Sequence, residues 1–236
     1  MSKVIFITGA SKGIGKAIAL SLSKEHIVVL FARNESNLKE VEKLITQYGG
    51  SCFCLVGDVT KEQDVSNAIS KTIEKFSSID VLINNAGLGI YKRIDELTLE
   101  EFTQVMDTNM VGSFLMTKYT VPHMIAKKQG QIINISSVAG LNGFKGGAAY
   151  AASKFALNGF TESLREDVKE FGIAVTAVCP GGVNTKFGGS SSDKTSRPYL
   201  LEPEDVAHTI QYLVQESETA NTKFIELKPR KRKEMR

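Results

Sequence analysis

The chain has 236 residues, 42% hydrophobic and 23% charged, close to the averages of globular proteins, so a sizeable core forms without disulfide staples and pervasive disorder is excluded. The formal charge of +3 belongs to the end of the chain. Lys228, Arg230, Lys231, Arg232, Lys233 and Arg236 face Glu234 alone there, and the preceding 227 residues carry −2, which argues against a nucleic-acid-binding body.

No apolar run approaches the roughly 18 residues of a membrane helix, and the chain opens directly into Val4-Ile5-Phe6-Ile7 without signal-peptide features. A cytoplasmic protein without membrane or nucleic-acid partners is expected. Cys52 and Cys54 share one face of an apolar run and Cys179 lies beside Pro180, giving no disulfide framework. The histidines His26, His123 and His208 are scattered, so no metal site is expected.

Strand-like runs fall at 4–8, 27–31, 52–56, 81–84, 131–136, 174–178 and 224–227, with amphipathic stretches between most of them. This alternation predicts βαβ units: an α/β chain with a seven-stranded parallel sheet, about six main helices and a Rossmann-type doubly wound architecture. With no repeat or Pro-rich linker, residues 1–229 are read as one catalytic and dinucleotide-binding domain and 230–236 as a basic, disordered tail. The Gly- and Ser-rich stretch 188–198 follows the sixth strand, where a loop is placed to cover a ligand at the carboxyl ends of the strands.

The first strand runs into Thr8-Gly9-Ala10-Ser11-Lys12-Gly13-Ile14-Gly15 and then a helical pattern. Strand, glycine turn and helix in that order form a phosphate cradle at a helix N-terminus. The three residues between the first two glycines depart from G-x-G-x-x-G. They match instead Thr-Gly-x-x-x-Gly-x-Gly, and further motifs follow: Asp58, Asn84-Asn85-Ala86-Gly87, Asn109, Ser136-Ser137, Tyr150-Ala151-Ala152-Ser153-Lys154 and Pro180-Gly181. On these the chain resembles the short-chain dehydrogenase/reductase family along nearly its whole length.

In a helix starting near Tyr150, Lys154 lies one turn along on the same face. A phenol has a pKa of about 10, and a neighbouring ammonium is expected to lower it. The resemblance implies that Tyr150 is the acid/base and that Ser137, thirteen residues earlier, binds the substrate carbonyl oxygen. It also implies that Lys154 holds the cofactor ribose and tunes Tyr150, and that Asn109 supports a water in a proton relay.

The same resemblance places Gly9, Gly13, Ile14 and Gly15 at the cofactor phosphates, with Ser11 in that turn, and Asp58 at the adenine. Asn84, Ala86 and Gly87 are expected along the ribose side, and Pro180, Gly181, Val183 and Thr185 near the nicotinamide. The second strand ends in Ala32-Arg33, with no acid to repel a 2′-phosphate, and Lys12 precedes Gly13. NADP(H) is therefore the expected cofactor, with Lys12 and Arg33 at its phosphate.

The implied function is an NADP(H)-dependent oxidoreductase acting on a small-molecule ketone, aldehyde, 3-ketoacyl or sugar substrate. A 3-ketoacyl carrier-protein reductase of fatty-acid synthesis is an alternative, although this chain closes with Thr222–Pro229 rather than with Asp-Gly-Gly. A non-catalytic dinucleotide sensor on the same fold is another. Tyr91, Phe144, Phe187 and Tyr199 suggest a partly apolar pocket.

In the helix after Tyr150, Leu157, Phe160, Leu164 and Val168 form a stripe toward the sheet, with Ala151, Phe155 and Gly159 roughly opposite. That second patch predicts a homo-oligomer, a tetramer or a dimer.

Overall fold

The computed structural model describes residues 2–189, 200–217 and 219–230. Tyr199, most of the 188–198 loop and most of the basic tail lie outside the described residues.

Its frame is one parallel sheet in the order β3-β2-β1-β4-β5-β6-β7. The strands are β1 (Val4–Thr8), β2 (Ile27–Ala32), β3 (Ser51–Val56), β4 (Val81–Asn84), β5 (Gly130–Ile135), β6 (Ile173–Pro180) and β7 (Phe224–Leu227). They alternate with α1 (Gly13–Leu22), α2 (Glu35–Gln47), α3 (Glu62–Phe76), α4 (Leu99–Met106), α5 (Gly112–Lys127), α6 (Ala148–Val168) and α7 (Pro203–Val214).

Burial on both faces explains why the inner strands read as continuous apolar runs rather than alternating ones. Ile5 and Ile7 of β1 face a core shared with Ile18 of α1, Leu38 and Val41 of α2 and Ile210 of α7. Val4 and Phe6 face the opposite core, with Val65 of α3, Met116 of α5 and Leu164 of α6.

The chain builds outward from β1 to β3, then crosses back to start β4 on the other side of β1. At that reversal the segments after β1 and β4 diverge and leave a crevice. The segments leaving β5 and β6, which carry Ser137 and Gly181, open onto the same end of the sheet.

A buried polar ladder braces this end. Asn84 donates through Nδ2 to Asn134 Oδ1 at 2.8 Å, and Asn134 donates to Thr161 Oγ1 at 2.8 Å. Thr161 in turn donates to the Leu157 carbonyl at 2.6 Å, so β4, β5 and α6 are held by side chains as well as by packing.

Two features differ from the sequence expectation. The helix around Asn109 is two helices joined by a π-turn over Asp107–Val111. The Thr108 hydroxyl donates to the Gln104 carbonyl and the Ser113 hydroxyl to the Asn109 carbonyl, both at 2.9 Å, and such back-bonding disturbs a regular helix. On α6, Ala151 is buried, so only Phe155 and Gly159 of the supposed second patch face outward.

Asn134→Ala breaks the ladder at its middle. Leaving buried partners unsatisfied costs about 1–3 kcal/mol, so the urea midpoint is expected to fall at unchanged m-value. An unchanged midpoint would show that the ladder contributes nothing to stability.

Candidate active site

The glycine turn after β1 is shaped by close approach. A Cβ on Gly15 would lie 2.4 Å from the Gly9 carbonyl oxygen, and Gly9 itself has φ +65°, with the Ala86 Cα 2.9 Å from any added Cβ. The turn is pinned from both sides: the Gly9 N–H donates to the Phe31 carbonyl at 2.8 Å, and the Asn85 amide donates to the carbonyls of Thr8 and Gly9.

The N-terminus of α1 receives no side-chain cap from Lys12, and its first turn contains no acidic residue. Its uncapped N–H groups and positive dipole end therefore suit an anion. Ser11 is half-buried in this turn, Lys12 is exposed beside it, and Ile14 anchors the helix start against the core. Thr185 sits across the crevice, its Cγ2 3.4 Å from the position of a Cβ on Gly13. The residues present thus fit a dinucleotide pyrophosphate, with the segment after β6 closing over it.

The segment after β4 follows the same crevice. Ala86 donates its N–H to Thr8 Oγ1 at 2.9 Å, and Gly87 is exposed next to Asn109. The Asn84 side chain, by contrast, is absorbed in the buried ladder, which leaves only its backbone for a ligand. Pro180 ends β6, Gly181 is tied to the Leu227 carbonyl at 2.8 Å, and Val183 pairs with Leu201 in an isolated bridge.

Four polar residues converge at the inner end of the crevice. Ser137 is buried just beyond β5; its hydroxyl accepts from the Ala139 N–H at 3.1 Å and contacts the Tyr150 phenol. Lys154 is 4% exposed, donates to the Ile135 carbonyl at 2.8 Å, and holds its ammonium 5.8 Å from the centre of the Tyr150 ring. Asn109 is fully buried. It clamps Leu88 from both sides, accepting the Leu88 N–H at 2.7 Å and donating to the Leu88 carbonyl at 2.9 Å, while also donating to Ser153 Oγ at 2.9 Å.

Ser153 in turn donates to the Tyr150 carbonyl at 2.7 Å, so Asn109 reaches Tyr150 through one intermediary.

The electrostatics run opposite to the sequence expectation for Tyr150. Burial pushes its pKa well above the usual phenol range, Tyr91 adds to the rise, and only the Ser137 hydroxyl counters it. The Lys154 ammonium, which donates to the Ile135 carbonyl, does not offset this rise. The same burial brings the Lys154 pKa down to about 8. The resting phenol is therefore a held proton donor beside an amine that exchanges its proton near neutral pH.

Toward the other end of the crevice, Arg33 follows β2 and lies 3.6 Å from the Asp58 carboxylate, with 73% of its side chain exposed. Asp58 also accepts from the N–H and hydroxyl of Thr60. Such an exposed pair is weak and screened, so a phosphate can compete for the guanidinium.

Around Tyr150 the lining is aromatic. Tyr91 meets its ring edge-on at 5.7 Å between centroids, Phe187 lies at 5.6 Å, and Phe144 packs on Tyr91 at 5.8 Å.

The family model described as short chain dehydrogenase matches residues 3–196. The chain belongs to that family. An uncharacterized oxidoreductase of Staphylococcus saprophyticus is 34% identical over 229 residues, covering 96% of this chain and 97% of the relative. A 3-oxoacyl-[acyl-carrier-protein] reductase of Synechocystis is 36% identical over 222 residues, covering 90% and 89%. Among solved structures, the alcohol dehydrogenase of Thermococcus sibiricus complexed with 5-hydroxy-NADP superposes with a TM-score of 0.91 at 28% identity, covering 97% of each chain. A variant of actinorhodin polyketide ketoreductase with NADPH gives 0.90 at 29%, covering 97% of this chain and 96% of its own.

Within this short-chain dehydrogenase the sequence reading passed over Thr8, Asn85, Asn134 and Ser153, which hold the site without lining it. Only their place inside the motifs hinted at this.

With Lys154 lowered to about 8, its charge is present below that pH and lost above it. Since kcat/KM reports free-enzyme ionisations, kcat/KM for the cofactor is expected to be level below pH 8 and to fall above it. A profile level to pH 10 would contradict the buried-amine assignment.

Proposed function

We propose that the chain is an NADP(H)-dependent reductase of carbonyl compounds, with Tyr150 as proton donor. The observation that carries this reading is the half-buried Tyr150 side chain in contact with Ser137, one helical turn from the buried ammonium of Lys154. A sensor needs the glycine cradle but has no use for a proton donor kept protonated by burial, which disfavours the non-catalytic alternative.

When bound, the nicotinamide supplies hydride to the carbonyl carbon. Ser137 orients the substrate by donating its hydroxyl proton to the carbonyl oxygen, and Tyr150 transfers its proton to that oxygen as negative charge develops. Tyr150 is protonated in the resting protein, and the phenolate left behind forms beside the Lys154 ammonium, 5.8 Å from the ring centre. Asn109 fixes Leu88 and, through Ser153, the first turn of α6, so it sets the position of Tyr150 without touching the substrate.

The aromatic lining favours a carbonyl flanked by apolar or aromatic groups. Tyr91 and Phe187 lie against both sides of the Tyr150 environment, and Lys92 ties the Tyr91 segment to the loop bearing Phe144 through its N–H bond to the Gly146 carbonyl at 2.9 Å. A 3-ketoacyl carrier-protein substrate remains the alternative. The relative of that name supports it, and comparison of an aryl ketone with a 3-ketoacyl thioester in the same assay distinguishes the two.

NADPH is the cofactor this reading favours over NADH. The fully apolar β2 ends at Ala32, so no carboxylate there repels a 2′-phosphate, and Arg33 and Lys12 are both exposed at the adenosine end. Charge-assisted hydrogen bonds contribute about 1.5–3 kcal/mol each, so one good contact favours NADPH by roughly tenfold or more. Cofactor-consumption assays over a panel of carbonyls are expected to give a higher kcat/KM with NADPH, and Ala32→Asp with Arg33→Ala to reverse the order. A wild-type preference for NADH would overturn the assignment of Lys12 and Arg33.

A further inference from the structure

Away from the crevice, the edge strand β3 presents two thiols to α2. Cys52 and Cys54 alternate with Phe53, so both point to the same face of the sheet. They pack against the core that includes Leu38, Val41 and Ile45 of α2. Glu42 of α2 completes the group. One carboxylate oxygen and the two sulfur atoms lie within 4.8 Å of one another, and all three residues are half-buried. No other three His, Cys, Asp or Glu side chains among the described residues come together in this way.

No ion pair among the described residues engages the three groups. The Cys54 thiol donates to the Leu38 carbonyl at 4.0 Å, and the Cys52 sulfur lies beside it. Glu42 forms no salt bridge among the described residues, and Lys39, one turn before it on α2, is paired with Glu35 at 2.7 Å.

We infer that Glu42, Cys52 and Cys54 form a binding site for a thiophilic divalent cation of the zinc class, joining α2 to β3. Tetrahedral zinc with Zn–S distances near 2.3 Å needs its sulfur ligands roughly 3.8 Å apart, a change within reach of side-chain rotation from the present spacing. Two thiolates and a carboxylate supply three protein ligands and leave a fourth position for water. The thiolates select such an ion over magnesium or calcium, which prefer all-oxygen shells.

Binding replaces two S–H bonds by metal–sulfur bonds and releases the two thiol protons to solvent. The sequence gives the cysteines no disulfide framework, and its scattered histidines point to no metal site. The third ligand comes from the preceding helix, folded back across the strand.

The test is titration of the reduced full-length chain with Cd²⁺, whose thiolate complexes give an ultraviolet charge-transfer band. The expected result is saturation at one ion per chain, release of about two protons per ion, and displacement by Zn²⁺ but not by Mg²⁺. Cys179→Ser keeps the band and Cys52→Ser with Cys54→Ser loses it. Glu42→Gln keeps the band but weakens affinity by at least the roughly 10–100-fold that loss of a mere supporting partner costs. Circular dichroism confirms that each variant is folded, and proton release from the wild-type chain tests the site without any substitution. The inference is overturned by the absence of a saturable band at micromolar protein, by its survival without Cys52 and Cys54, by binding without proton release, or by wild-type affinity in Glu42→Gln.

Discussion

One hydroxyl group holds the two halves of the crevice together. Thr8 Oγ1 accepts the backbone N–H groups of both Asn85 and Ala86 at 2.9 Å and can donate to the Ile83 carbonyl at 3.4 Å. Asn85 returns the contact through its amide to the Thr8 and Gly9 carbonyls. The end of β1 is thereby fixed against the end of β4 at the point where strand order reverses, and Gly15 approaches so closely that no Cβ fits. The cofactor side of the crevice is built on this join: the N-terminus of α1 faces the crevice, the segment after β4 runs along it, and Asn109 anchors that segment at Leu88.

Burial is the second constraint, and it acts on two groups in opposite directions. A phenol and an ammonium withdrawn from water both favour their neutral forms. Tyr150 therefore keeps its proton more tightly and Lys154 gives its proton up more readily than either would in solvent. The resulting pair is matched to a reaction in which negative charge appears on the tyrosine only during proton transfer. The aromatic side chains of Tyr91 and Phe187 help to exclude water, and their presence ties the electrostatics of Tyr150 to the shape of the substrate that fits beside it.

Much of this was legible in the sequence because its signals are local. Seven apolar runs became seven strands, with bounds shifted by a residue or two. The expected strand at 131–136 starts at Gly130 and stops at Ile135, where the Ser136 N–H also bonds back to the Asn134 carbonyl at 3.1 Å; the strand expected at 174–178 runs on to Pro180, where it still pairs with β7. The glycine turn was legible because its spacing encodes backbone conformation.

What sequence could not supply was the environment between distant segments. The π-turn depends on hydroxyls bonding back to carbonyls within a stretch that reads as ordinary helix. The direction of the Tyr150 shift depends on how deeply α6 is packed and on an ammonium held by the Ile135 carbonyl. The Arg33 and Asp58 contact and the approach of Glu42 to Cys52 and Cys54 each join residues from different elements. The amide of Asn84 was expected beside a ligand and instead serves the ladder inside the sheet.

The central claim is that Tyr150 provides the transferred proton while the crevice binds the cofactor independently of it. Tyr150→Phe removes the hydroxyl and keeps the ring that packs against Tyr91 and Phe187. Measurement of NADPH affinity and of carbonyl reduction in the same variant separates the two roles. The account predicts affinity within a few-fold of wild type and turnover reduced by about 10²–10⁴-fold, the contribution expected of a general acid. Retention of more than about a tenth of wild-type turnover, well outside that range, would contradict it.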